Sequence, residues 1–492
     1  MNKGSIEKYI LKGFFWSFSG RISYMLVGFI TNVILARTLG PEIFGQVAIV
    51  LFFITISKVL VESGLSGALI RKNKVSDRDY STVLIFNIVA SIFIILFIFF
   101  LAQPISDFYD TPIIKDLLIF SSMILLIDSL RIVQDTKLIR NLDFKKKSIY
   151  EFSSILFSSL VGIVLAFNGF GVWSIIIMNI ITVLTLTSLL WIFEGNIHFN
   201  SFSMKSFKSL YKFGLNTTLS LLLVTFFDNI YQIIIGKYFS LRQTGLYYNS
   251  KRLQEIPIAI VQSTTMGVSY SSLSKLKNNK NDFEKLYLEI RTLFTIFIGF
   301  IVIFIFYYAE NIIVLFYGLD WIDSTYFIRI LIIISFFYSQ EMFNRMIFKV
   351  FDRTDKILKL EIIKKTIQSL TIIIGIIFLN IKILLIGMLS TTIISYIINS
   401  IELRKVFSNL IWKDMLLVAK ISFSCISSVL LCTLLEIFFV IKGYNTFFLL
   451  PVLIINYLFF VDLLKIFDLR KNNLTIYRKY IISILKKNDF EK

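Results

Sequence analysis

The chain has 492 residues, of which 56% are hydrophobic, 16% aromatic and only 17% charged, and it carries a formal charge of +19. That much apolar surface with so little charge excludes a soluble enzyme and a disordered chain, and 2 Cys exclude a disulfide-stapled secreted domain. A polytopic membrane protein remains, and the location of its excess base decides between nucleic-acid binding, adhesion to a membrane surface and simple topology.

Fourteen stretches have the roughly 20 apolar residues that a helix needs to cross a bilayer. In chain order they are 14–36, 43–61, 80–101, 116–134, 149–167, 172–193, 214–236, 247–270, 288–309, 324–343, 358–379, 383–401, 414–438 and 446–467, the eighth being the most polar. The first contains Arg21 and lacks a small-x-small cleavage site, so it reads as helix 1 of the mature protein rather than a signal peptide.

With the N-terminus inside, both tails and alternate connections, counted with the adjoining helix ends that carry Arg291 and Lys359, hold 35 Lys and Arg. The opposite connections hold six: Arg37, Lys115, Lys237, Arg242, Lys382 and Lys442. This split predicts that both termini are cytoplasmic and that the helix number is even. The +19 is then mainly topology, with no nucleic-acid partner implied. All connections are short; the longest lies near 194–213, and the longest outer ones are 103–115 and 310–323. The basic tail after helix 14 suits the inner leaflet surface.

Offsetting the chain by 200 residues aligns Lys12-Gly13-Phe14 with Lys212-Phe213-Gly214, Ala36-Arg37 with Gly236-Lys237, and Gly45 with Gly245. Six helices separate the copies, so the repeat is parallel. The expected organisation is a cytoplasmic tail at 1–13, an N-lobe at 14–200 (helices 1–6), a C-lobe at 201–410 (helices 7–12), helices 13 and 14 at 411–468, and a basic cytoplasmic tail at 469–492. The fold class is all-α polytopic membrane protein, with two six-helix lobes around a central cavity plus two extra C-terminal helices.

Catalytic constellations are absent, so no enzyme activity and no metal site is expected. Cys425 and Cys432, seven residues apart on one helix face, read as packing. His198 has no nucleophile partner in a motif. Asp77-Arg78-Asp79 imitates a metal-binding Asp-x-Asp, but it precedes helix 3, where capping is the better reading. Gly169-Phe170-Gly171 is a tight turn, too short for a nucleotide fingerprint.

The remaining signal is polar residues inside helices, which are costly in hydrocarbon and so belong against protein or water. Helix 1 carries a stripe of Ser17, Arg21, Tyr24, Gly28, Thr31 and Asn32; helix 7 carries Thr218, Thr225, Asp228, Asn229 and Gln232; helix 8 carries Arg252, Glu255, Gln262 and Ser269. Candidate cavity residues are Arg21, Tyr24, Lys58, Arg131, Lys251, Arg252, Glu255 and Arg329, with Asp128, Asp228 and Glu255 opposing the bases. Lys58, Arg131 and Glu341 lie near inner helix ends, within snorkelling reach of water. A polar helix–helix lock is the competing role for each. Pro257 is expected to kink helix 8. A net-basic cavity suits an anionic substrate carrying phosphate or carboxylate.

At this point the chain resembles a family. The 6+6+2 pattern, the stretch Val33-Ile34-Leu35-Ala36-Arg37-Thr38-Leu39-Gly40-Pro41-Glu42-Ile43-Phe44-Gly45, the stretch Glu62-Ser63-Gly64-Leu65-Ser66-Gly67-Ala68-Leu69-Ile70-Arg71, and Asn141-Leu142-Asp143-Phe144-Lys145 are similar to the polysaccharide-transporter branch of the multidrug/oligosaccharidyl-lipid/polysaccharide exporter superfamily. The resemblance implies a flippase for undecaprenyl-pyrophosphate-linked oligosaccharide units, working by alternating access in a bacterial cytoplasmic (inner) membrane. It would feed O-antigen, lipopolysaccharide, capsule or exopolysaccharide assembly.

The implied partners are a lipid-linked anionic oligosaccharide, membrane lipids and, as a candidate, the polysaccharide polymerase machinery. Arg21 occupies the kind of helix 1 position where related lipid flippases carry functional arginines. In some relatives helices 13 and 14 offer a groove for the lipid tail. No cofactor is implied; coupling to an H+ or Na+ gradient stays open, with Asp228 as its candidate carboxylate. The alternatives are a drug/cation antiporter of the same superfamily and a membrane glycan polymerase or ligase, the latter disfavoured by the short outer loops.

Overall fold

The structure, a computed structural model, describes residues 3–195, 202–264, 269–404, 408–440 and 449–466. Among these residues it is all-α, without strands. The first helix, α1 (Lys3–Glu62), contains both expected segments 14–36 and 43–61 as two arms joined at Gly40. There φ is 75° and ψ 171°, and Pro41 follows. Glycine accepts the left-handed φ, and proline withholds the N–H that a continuous helix would use.

After α1 come α2 (Leu65–Arg71), α3 (Asp77–Phe108), α4 (Ile113–Arg140), α5 (Phe144–Phe167), α6 (Val172–Phe193), α7 (Met204–Tyr238) and α8 (Leu241–Thr264). The second half holds α9 (Tyr270–Lys275), α10 (Lys280–Tyr307), α11 (Ala309–Tyr317), a 3₁₀ turn (Leu319–Trp321), α12 (Ser324–Val350), α13 (Thr354–Ile377), α14 (Ile381–Leu403), α15 (Ser408–Val440) and α16 (Leu450–Leu463).

Nine helices among the described residues are long and apolar enough to cross a membrane. One is the Phe18–Glu62 part of α1, whose 45 residues are about twice what one crossing needs. Helices α4, α8 and α13 have the length, at 28, 24 and 24 residues, but carry more charge. The chain is therefore a multi-pass membrane protein, and each of the fourteen expected segments coincides with a helix, with up to three described residues at an end lying in a turn.

Three connections differ from expectation, the first because α2 fills part of the stretch between the second and third segments. The outer loop expected at 310–323 is folded into α11 and the 3₁₀ turn, and α9 occupies part of the connection between the eighth and ninth segments. Short apolar helices of this length carry too weak a periodicity to be read from sequence.

The chain divides into two compact units, one of Met1–Tyr248 with Phe316–Trp321, the other of Asn249–Leu315 with Ile322–Lys492. In the first, Phe93, Phe97 and Phe100 form an exposed stripe on α3, with Phe100 74% exposed. In hydrocarbon such a stripe is solvated, whereas in water it would not be. The inner helix faces are lined with small residues. A Cβ on Gly162 would strike the side chain of Met178, and Thr182 donates to Ser158 Oγ at 2.7 Å. Close approach of this kind is how helices associate where the solvent is as apolar as leucine.

The second unit repeats the device: Gly375 lies against Leu384, and Thr371 and Thr391 share a hydrogen bond of 3.1 Å. The repeat is visible in backbone conformation too. Leu142 (φ 60°) and Asp352 (φ 56°) occupy matching turns before α5 and α13, and Gly169 (φ 81°) and Leu379 (φ 44°) matching turns after them, each pair offset by 210 residues.

Candidate functional site

The densest charge in the first unit joins α1, α4 and α5. Asp128 on α4 accepts from Lys58 Nζ on one oxygen and from Arg131 Nε on the other, both at 2.6 Å. Two turns beyond Asp128 on α4, Asp135 pairs with Lys147 of α5 at 2.5 Å, and Lys147 also reaches Glu151 at 3.0 Å. Glu62, at the end of α1, lies in the field of Asp128, Arg131, Lys58 and Asp135.

Asp128 is buried, while the Lys58 side chain remains 37% exposed. The spacing explains half of this: Asp128 and Arg131 are i and i+3 on one helix face. Two of the expected cavity bases are thus brought together, but on a shared carboxylate. Asp128 neutralises half of their charge and holds both side chains, which limits what an incoming anion gains from them.

The α1 stripe splits in two. Arg21 and Tyr24 are exposed, and a Cβ on Gly28 would meet open space. Thr31 and Asn32, by contrast, are buried, Thr31 donating to the Val27 carbonyl at 2.8 Å and Asn32 to Tyr317 Oη at 3.3 Å. Beside Arg21, Gly20 lets α1 approach Ser148 of α5, whose hydroxyl donates to the Trp16 carbonyl at 3.0 Å. The Ser17 side chain lies outside the described residues. Among the described residues Arg21 has neither an ion pair nor a hydrogen bond.

Asp228 on α7 is exposed, one turn from the buried Tyr231 and Gln232 of that helix. In the second unit, α8 exposes Arg252 and Glu255 and half-buries Lys251. Pro257 is buried within α8, which is helical from Leu241 to Thr264. Arg329 on α12 is half-buried, its Nε donating to the Phe306 carbonyl at 3.3 Å and its guanidinium 5.8 Å from the Phe306 ring centre. Ser269 is buried, and the side chain of Gln262 lies outside the described residues.

Sequence reasoning missed the polar locks of the second unit. Arg291 of α10 is completely buried and forks onto Asp414 of α15, Nε to Oδ1 at 2.6 Å and a terminal nitrogen to Oδ2 at 3.0 Å. Tyr287 and Tyr396 complete the carboxylate's shell at 3.5 Å each. Arg291 had counted as one of the cytoplasmic-side bases. Glu341, expected to snorkel, is instead fully buried between Arg345 and Lys364, the latter at 2.8 Å. Its i,i+4 relation to Arg345 was the one readable signal.

The capping and cysteine motifs resolve as read. Ser76 caps α3 and Asp79 closes a capping box. Cys425 and Cys432 are free thiols packed among helices. His198 lies outside the described residues. Among the described residues no group of three or more His, Cys, Asp or Glu is placed to hold a metal ion.

With this geometry in hand, three relatives are informative. The succinoglycan biosynthesis transport protein ExoT of Rhizobium meliloti (strain 1021) is 25% identical over 267 residues, 54% of each chain, so the match spans about half of that relative's length. The fold is similar to the lipid II flippase MurJ in its inward closed conformation, with TM-score 0.71 and 18% identity over 91% of this chain and 98% of that one. It is also similar to an inward-facing multidrug resistance MATE family transporter of the MOP superfamily, with TM-score 0.59 and 17% identity over 79% and 95%. Residues 34–326 match the polysaccharide biosynthesis protein family, and by that match, which covers more than half of its length, the chain belongs to it.

Proposed function

We propose that the protein is a flippase for lipid-linked oligosaccharides and that its substrate carries a polyprenyl pyrophosphate, as undecaprenyl-pyrophosphate-linked repeat units do. Family membership, a relative that is a succinoglycan transport protein and a fold shared with a lipid II flippase support this reading. A glycan and a pyrophosphate do not cross hydrocarbon unaided, so the protein must offer a polar path while the prenyl tail stays in lipid.

The observation that carries the reading is Arg21. It is a cation within a membrane-length apolar arm, exposed, and without an ion pair among the described residues. Lys58 and Arg131 are held by Asp128, so in the first unit Arg21 is the base best placed to take a phosphate. Movement runs from the cytoplasmic to the outer leaflet of a bacterial inner membrane by alternating access. It feeds O-antigen, capsule or exopolysaccharide assembly, with a polysaccharide polymerase as the downstream partner. Asp228 is the candidate for coupling to an H+ or Na+ gradient. Transport, not bond-making, is the activity assigned.

The test is reconstitution in proteoliposomes with a polyprenyl-pyrophosphate oligosaccharide in one leaflet. Wild type equilibrates it, and Arg21→Ala does so about ten- to a hundredfold more slowly. If the protein instead confers drug resistance with no effect on the glycan, the antiporter reading replaces this one.

A further inference from the structure

Residues 316–321 belong by packing to the first unit, although the chain on either side of them, Leu315 and Ile322, belongs to the second. They grip the last turns of α1 before its kink. Arg37 Nε donates to the Phe316 carbonyl at 2.8 Å, and Trp321 Nε1 donates to the Ala36 carbonyl at 3.0 Å. Asn32 reaches Tyr317 at 3.3 Å, and Arg242 of α8 reaches the Asp320 carbonyl at 3.0 Å. Trp321 is buried and meets Phe44 edge-on at 5.4 Å. Gly318, with φ 94°, turns the segment back on itself.

The other repeat has a counterpart. The turn between α3 and α4 grips the end of α7: Lys237 pairs with Asp110 at 3.4 Å and stacks over Phe108 at 4.8 Å. Tyr109 donates to the Ile233 carbonyl at 3.5 Å and packs against Gly236. Ala36 and Gly236, and Arg37 and Lys237, are the 200-residue pairs that mark the repeat. Each repeat's first helix is therefore clasped at the same turn by a connection from the other repeat. In the second repeat that connection is lengthened by α11.

We propose that 316–321 is a strap that leaves α1 during translocation, with Trp321 and Arg37 as positioning residues acting through the α1 kink. This rests on the flippase reading. Both ends of the strap are covalently part of the second unit, so rearrangement of α11 or α12 is transmitted to α1 directly. Arg21 lies nineteen residues before Gly40, about 28 Å along the helix. A small change of angle at the kink is thus a large displacement at the phosphate-binding arginine. The contacts suit a reversible clasp, since three of the four end on backbone carbonyls.

The test bridges the clasp. With Cys425→Ala and Cys432→Ala as background, Arg37→Cys and Phe316→Cys are linked by a bifunctional methanethiosulfonate and released by reductant. Hydrogen exchange of the strap amides reads its movement without any substrate. The bridge is expected to slow that exchange at least tenfold and to cut flipping of the lipid-linked oligosaccharide at least tenfold, both restored on reduction. Unchanged strap exchange, or, in a protein that flips when reduced, flipping of the bridged form within twofold of the reduced form, overturns the proposal. A bridge that slows exchange in a protein that flips no lipid-linked oligosaccharide even when reduced leaves the moving strap standing and removes the flippase reading instead. Trp321→Phe, which keeps a benzene ring and loses Nε1–H together with the five-membered ring of the indole, is expected to raise strap exchange without loss of folded protein.

Discussion

Gly45 and Gly245 meet backbone to backbone in the first unit, and they do so reciprocally. A Cβ on Gly45 would run into the Leu241 carbonyl, and one on Gly245 into the Pro41 carbonyl and, at 2.9 Å, the Gly45 nitrogen. The 200-residue offset exchanges the two contacts, Pro41 answering to Leu241 and Gly45 to Gly245, so a local two-fold relation between the repeats passes between the second arm of α1 and the start of α8.

Because both neighbours are backbone, neither site can absorb a methyl by moving a side chain. Gly45→Ala and Gly245→Ala are each expected to destabilise by about 2 kcal/mol or more, at the upper end of overpacking costs. The double variant should cost less than the sum, since one separation of the helices relieves both clashes. Gly28→Ala is the control: its Cβ meets nothing, and the substitution should stabilise the helix by about 0.5–1 kcal/mol. Thermal unfolding in detergent reads all four variants. Equal midpoints for Gly45→Ala and Gly28→Ala would contradict the close approach.

Asp128 carries two bases, so its loss should matter more than the loss of either. Asp128→Ala strands Lys58 and Arg131 and is expected to cost about 2 kcal/mol, below the 3–5 typical of a broken buried pair because Lys58 is partly exposed. Lys58→Met should cost well under half of that, since Arg131 still satisfies the carboxylate. A double-mutant cycle across Lys58 and Asp128 measures the coupling, and a coupling of zero would mean that the pair is not formed in the membrane.

Arg291 and Asp414 test how α15 is held. Asp414→Asn leaves a fully buried guanidinium short of its counter-charge and is expected to destabilise by about 3–5 kcal/mol. Arg291→Met combined with Asp414→Leu removes both charges and should recover most of that loss. Limited proteolysis of the α15–α16 region, alongside thermal unfolding, would show whether the single variant detaches this helix pair. If the double variant is as unstable as Asp414→Asn, the ion pair does more than anchor α15.

What could be read from sequence follows from how far apart the interacting residues lie. The sixth span, Val172–Phe193, emerges with its predicted ends because a twenty-residue apolar run between turn glycines is a local signal. Asp128–Arg131 is legible for the same reason. Lys58–Asp128 joins two helices seventy residues apart, and Arg291–Asp414 spans 123, so hydropathy and spacing say nothing about either. As a result a count of free cations made along the sequence overstated the site. The strap escaped notice because its contacts are to carbonyls, which every residue has. Only the pairing of Arg37 with Lys237 hinted that the end of each first helix is a special place.

Arg21 and Lys58 then provide the sharpest functional contrast, because both are bases of α1 and only one is held by a carboxylate. Arg21→Ala removes an exposed cation whose charged hydrogen bonds to a phosphate are worth about 1.5–3 kcal/mol, so flipping should fall roughly ten- to a hundredfold while thermal stability stays unchanged. Arg21→Lys keeps the charge but loses the planar fork, and should recover part of the rate. Lys58→Ala should do the opposite, lowering stability while moving flipping little. Initial rates in proteoliposomes, paired with unfolding midpoints of the same preparations, separate the two. If Lys58→Ala loses as much transport as Arg21→Ala at unchanged stability, the pyrophosphate displaces Asp128 from Lys58 in the working cycle, and the balance assigned here to Asp128 is a resting state rather than a fixed lock.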